Sequence, residues 1–249
     1  MFRGFYSLTS EMICQNRNLN VISNNMANVS TPGYRSDKFL SSTFKEEMLY
    51  RSGNKDKRNQ TALGEVAMIR TGREVATDYS MGGFESTEGV LDFALQGKGF
   101  FEIQTNNGTV YTRDGSFMID NDGYLALSGI GRVMGSNGPI RLGTDDIVVD
   151  AQGNIYDQTG QTTYGRIAVV DFADYNQLTK QDNGMFTSGV QGTPVNTPML
   201  WKYIEKANVG VVNEMTSMMS GQRSLQSAAQ VLKMYDQLMG KIVSEIGRV

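Results

Sequence analysis

The chain has 249 residues and a net charge of −3. That length allows one large domain or two small ones, and the charge is too small to draw nucleic acid or an anionic membrane by electrostatics. With no histidine and one cysteine, Cys14, the chain has no Ser-His-Asp triad, imidazole metal ligand, intrachain disulfide or multi-thiolate metal site.

In the first segment, Phe5, Leu8, Met12, Gln15, Leu19, Ile22 and Met26 recur at alternating steps of three and four. This is a heptad seam with one polar member, and it predicts a helix from about residue 3 to about 28. Ser7, Thr9, Ser10 and Glu11 interrupt the apolar positions and Arg3 is the one early cation, so the segment does not read as a cleaved leader. Location is therefore expected to be cytoplasmic, or outside by a route that needs no cleaved leader. Pro32-Gly33 closes the helix, because proline cannot continue it and turns Thr31 away from helical backbone.

Residues 36–84 read as an extended connecting region, with an exposed loop near 51–60 where no residue is apolar. From about 85 to 175 the period drops to two. Asn107-Gly108, Asp114-Gly115, Asp122-Gly123, Asn137-Gly138 and Gly153-Asn154 punctuate short apolar runs. Such pairs supply the positive φ of tight hairpins, so a compact, mostly antiparallel β domain is expected, carried on to residue 204 by a return segment. The longest apolar run, Ile167 to Val170, is far short of the roughly 18 residues of a membrane span, and no membrane insertion is expected.

In the last segment Val211, Met218, Leu225, Leu232, Met239 and Ile246 are each seven residues apart, and no proline follows Pro198. A helix of about 211–247 is predicted. The fold class is therefore α+β: terminal heptad helices pairing as a coiled coil, formed by residues 1–35 plus 205–249, around a central β domain.

Candidate chemistry is thin. Gly97-Lys98-Gly99 lacks the later Gly-Lys-Ser/Thr of a phosphate loop and precedes a strand-like run, so it reads as a bend. Asp120-Asn121-Asp122-Gly123 would need an oxygen ligand and a glutamate where Tyr124 and Gly131 stand, so a turn is expected there rather than a calcium loop. The adjacent pairs Asp145-Asp146 and Glu46-Glu47 do not hold two carboxyls across a cleft. No catalytic residue, cofactor or metal is predicted.

Residues 23–35, Ser-Asn-Asn-Met-Ala-Asn-Val-Ser-Thr-Pro-Gly-Tyr-Arg, place three asparagines within five positions near a helix end, costly unless their amides have fixed partners. This tract resembles the N-terminal signature of the flagellar axial family, which builds the rod and hook of the bacterial flagellum. Leu95 to Phe101, Tyr111 to Phe117 and Asp122 to Leu125 look like its central β region. Asn208-Val209, Val212 to Met215 and Gln222-Arg223 look like the start of its C-terminal helix.

The resemblance spans both ends and the middle, and the length fits a proximal or distal rod protein. It implies a basal-body rod subunit that polymerises through its terminal helices into a tube transmitting torque to the hook, with no cofactor. Its partners would be itself, other rod and hook subunits, and the type III export apparatus of the flagellum. Ser23, Asn24, Asn25, Ala27, Asn28, Thr31, Gly33 and Tyr34 would form an assembly motif. A hook-type subunit, a cell-wall enzyme and a sugar-binding β module are the alternatives.

Overall fold

The computed structural model describes residues 2–51, 61–160, 162–181 and 184–246. The loop expected near 51–60 lies outside them from position 52 onward. The chain divides into two units: Met1–Ala27 with Asp37–Asp78 and Gly210–Val249, and Asn28–Ser36 with Tyr79–Val209.

The first unit holds helix α1, Phe2–Ala27, and helix α2, Val211–Ile246. At 36 residues, α2 is about 54 Å long. Its first backbone bond runs from Glu214 N to Gly210 O, and Glu214 places a negative charge in the first turn, where the helix dipole favours it.

The helices touch and run antiparallel. Gly4 faces the Tyr235 hydroxyl, Gly221 faces Gln15 and Leu19, and Asn25 bonds Glu214. A Cβ at Gly221 would stand 2.9 Å from Leu19 Cδ2, so the missing side chain lets the backbones approach. The expected connector is a long antiparallel hairpin of β1, Asp37–Arg51, and β2, Thr61–Thr77, packed on α1. Four register irregularities interrupt its ladder, which removes the period-two signal by which a strand is read. At its open end Thr77 Oγ1 donates to Asp37 Oδ1 at 2.7 Å and Lys38 reaches Asp78 at 2.6 Å.

The second unit is an antiparallel β structure. A ten-stranded sheet is joined by a three-stranded one of residues 147–149, 154–157 and 163–166, and by two short pairs, 93–95 with 199–201 and 84–86 with 203–205. The central strand Phe100–Thr105 has apolar layers on both faces. Phe101 and Ile103 point into one core with Phe93, Phe117 and Val133, while Phe100 points into another with Phe172 and Phe186. Val110 and Tyr111, and Val169 and Val170, split between the cores in the same way. Adjacent apolar residues along a strand are the mark of a sheet covered on both sides.

The expected turns form at Gly108, Gly123, Gly138 and Gly153, all at positive φ. Gly115 is different: its φ is not positive, and a Cβ there would lie 1.8 Å from the Phe93 carbonyl oxygen. Close backbone approach, not turn conformation, demands that glycine. Gly97-Lys98-Gly99 is a bend between two strands, and Asp120 Oδ1 accepts from Asp122 N and Tyr124 N, closing a turn.

Candidate assembly site

Asn25, on the last turn of α1, is 1% exposed. Its Nδ2 donates to Asp37 O at 2.8 Å and to Glu214 Oε1 at 3.2 Å, and its Oδ1 accepts from Asp37 N at 2.9 Å. The amide therefore pairs with the main chain of Asp37 as a strand neighbour would, and also holds the first turn of α2. These fixed partners offset the poor helix propensity of asparagine. Ser23, Asn24 and Ala27 lie on the exposed side of the same turn.

The rest of the motif belongs to the β unit. Thr31 N bonds Asn28 O at 3.1 Å, and Tyr34 N bonds Thr31 O at 3.4 Å. Gly33 has φ +67°, and a Cβ on it would stand 2.3 Å from the main-chain carbon of Arg113, so conformation and space both require glycine. Its N–H donates to the Glu205 carbonyl at 2.7 Å. Tyr34 is buried, with the Lys180 ammonium 4.0 Å from its ring centroid.

Beneath this turn sits a buried ion cluster that the sequence reading did not pick out. Glu205 accepts from Arg35 Nη1 at 2.7 Å and Arg113 Nη1 at 3.3 Å, and all three side chains are 4% exposed or less. Arg35 Nη1 also reaches Ser80 O, Arg113 Nη2 reaches Gly97 O, and Gly82 N donates to Glu205 Oε1. Burial pulls the Arg113 pKa down to about 10, against the opposing pull of Glu205, and Arg35 adds to the lowering. Nearby, Asn208 Oδ1 accepts from Ser36 N at 2.6 Å while its Nδ2 donates to Ser80 O. The segments 33–36 and 205–208 are thus fastened side by side. Arg35, Arg113 and Asn208 stand inside the quoted motifs, but Glu205, the shared partner of the two arginines, lies 92 positions from Arg113, and no local spacing shows that.

The heptad seam is partly covered. Ile22 is buried; Leu8, Met12, Leu19, Met26, Met218, Leu225, Leu232 and Met239 are half-buried. Phe5 and Val211 are exposed, at 42% and 37%, and the Ile246 side chain lies outside the description. A further apolar set flanks the seam: Val212, Met215, Met219, Met234, Leu238 and Val243 are each more than half exposed.

Among the described residues, two cavities of the β unit can be compared. The larger, about 660 Å³, has one lining carboxylate among the described residues, Asp120, which is bonded to Arg132 at 2.8 Å. A glycosidase would need a second carboxyl across it. The smaller, about 190 Å³, is bordered by Thr31, Tyr34 and Asp114. Among the described residues, no group of three or more His, Cys, Asp or Glu side chains is placed to hold a metal ion, and no helix is long and apolar enough to cross a membrane.

Three family models match in chain order. Residues 5–35 match the flagella basal body rod protein model, 94–157 the flagellar hook protein FlgE/F/G D1 domain, and 202–245 the flagellar basal body rod FlgEFG protein C-terminal model. Similar proteins include the flagellar basal-body rod protein FlgG of Buchnera aphidicola subsp. Schizaphis graminum, 31% identical over 92% of this chain and 94% of the relative. FlgG of Bacillus subtilis is 29% identical over 98% and 99%. The rod protein FlgF of Caulobacter vibrioides is 27% identical over the whole of both. The motif around Asn25 and Gly33, the central strands and the start of α2 all lie within the matched segments, and the chain belongs to the flagellar basal-body rod protein family.

Proposed function

We propose that this chain is a structural subunit of the bacterial flagellar basal-body rod, polymerising through its terminal helices into a tube that carries torque from motor to hook. The observation that carries this reading is the row of exposed apolar residues on α2, Val212, Met215, Met219, Met234 and Leu238. A stripe of that kind marks an interaction surface, and adjoining copies and other rod or hook subunits of like construction would cover it. Methionine accounts for three of those five positions and suits a face that packs against several non-identical neighbours.

In this reading residues 1–35 and 205–249 form the assembly domain, and α1 and α2 pair as a coiled coil. Export would run through the flagellar type III apparatus without a cleaved leader, and the role involves no catalysis. Electron microscopy of cell envelopes from a strain lacking the gene tests the reading. Basal bodies that stop at the rings or at a shortened rod, without hooks, are expected. Intact rods and hooks would overturn it.

A further inference from the structure

The smaller cavity of the β unit lies between the turn at residues 31–34 and the segment 112–116, with Leu127, Ile130 and Met185 on its apolar side. At about 190 Å³ it falls below the roughly 300–1,000 Å³ of small-molecule sites, so it fits one long side chain better than a metabolite or a sugar.

Its charged wall is Asp114. Ser116 N and Ser116 Oγ both donate to Asp114 Oδ1, at 3.0 and 2.6 Å, and Asp114 Oδ2 receives neither bond. The neighbouring Arg113 is committed elsewhere, to Glu205 and Gly97 O. Burial pushes the Asp114 carboxyl pKa up, against the two Ser116 bonds, with Asp92 adding to the rise. A partly desolvated carboxylate with an oxygen to spare, facing an apolar slot, matches a cationic head on an aliphatic stem.

Building on the rod-subunit reading, we propose that this cavity receives a lysine or arginine side chain from an adjoining axial subunit. Its stem lies along Leu127, Ile130 and Met185, and its cation sits on Asp114 Oδ2. The Asp114 side chain is then an interface group that the isolated subunit holds at a cost to its own stability.

Asp114→Asn tests this, because the amide oxygen keeps both Ser116 bonds while the charge is lost. The folded-state pKa is raised, so the native chain holds the proton more tightly than the unfolded chain, and ionisation costs stability as pH rises through that value. Asp114→Asn should therefore melt at or above the wild-type temperature at pH 7 and show no gain at pH 3. Complete rods with hooks in cells should fall at least tenfold, and Asp114→Glu should restore part of them.

A photo-crosslinker placed at the exposed rim residue Ser128 should attach, in assembled rods, within a few residues of a lysine or arginine on a neighbour. Wild-type numbers of rods with Asp114→Asn, a lowered melting temperature at pH 7, or attachment to a segment without a cation would each overturn the proposal. The strain lacking the gene separates the two readings. If it builds rods and hooks, the rod assignment fails and this inference with it; if it does not, while Asp114→Asn does, this inference alone fails.

Discussion

The two units differ in how completely each buries its own apolar residues. In the β unit Phe93, Leu95, Phe101, Ile103, Leu125, Val133 and Phe186 are fully buried, and both faces of the central strand are covered. In the helical unit Cys14 and Ile22 are the buried apolar residues among those described, and Val212 and Val243 stand 76% and 68% exposed. One unit has a core sufficient for a folded domain, and the other keeps apolar surface of the kind that a partner covers. A subunit that must fold alone yet polymerise gains from separating those two jobs between different stretches of chain.

A charge in the seam tests this contrast with the largest expected effect. Leu225→Asp, or Leu19→Asp, puts an unpaired carboxylate at a half-buried apolar position, which is strongly unfavourable in an apolar contact. Rod assembly should be abolished while near-ultraviolet circular dichroism and the melting of the β unit stay as in the wild type. Loss of the β signal as well would show that the units do not fold independently.

The opposite change strikes the finished unit. Glu205→Ala leaves the Arg35 and Arg113 guanidinium groups buried without their shared carboxylate. Breaking a buried ion cluster in this way costs about 3–5 kcal/mol, readable as a lower midpoint in urea. A loss below 1 kcal/mol would show that water reaches the cluster. Next comes Gly33→Ala, with an expected loss of about 2–3 kcal/mol from a strained positive φ and displacement of main chain at Arg113. The same measurement checks it, and an unchanged midpoint would mean that the turn shifts without cost.

How much of this was legible in the sequence follows from the range of each interaction. The helices were readable to within a residue or two, because heptad spacing and Pro32 are local signals. The strands around Phe117–Ile119 and Ile147–Val149 were readable because the apolar runs ended at Asp122-Gly123 and Gly153-Asn154. The β1–β2 hairpin was not, since its register irregularities erase the alternation. Glu205 was not either: its worth comes from two arginines distant in the chain, and a lone glutamate in Tyr-Ile-Glu-Lys looks like any solvated acid. Gly115 was noticed for its turn-forming neighbour, yet it is required by a carbonyl that packs against it from another strand. The asparagines of the motif were recognisable as costly, but only the fold shows that Asn25 uses Asp37 and Glu214.

Asn25→Ala gives the smallest of the expected effects, and its comparison with Asn25→Asp has the most detailed sign. Asn25→Ala removes the bonds to Asp37 N, Asp37 O and Glu214 Oε1, which costs about 1–3 kcal/mol. Asn25→Asp is closer in shape but should cost more. It keeps an acceptor for Asp37 N, yet turns a second carboxylate oxygen toward Asp37 O and Glu214 Oε1, where Nδ2 had donated. Lone pairs and like charges would then meet in a nearly closed site. Helical circular dichroism of the two variants across pH separates them: Asn25→Asp should regain helix as pH falls and the carboxyl takes a proton to donate, and Asn25→Ala should gain nothing. Equal behaviour of the two would mean that Asn25 only fills space, and the link from α1 to β1 and α2 would then rest on packing alone.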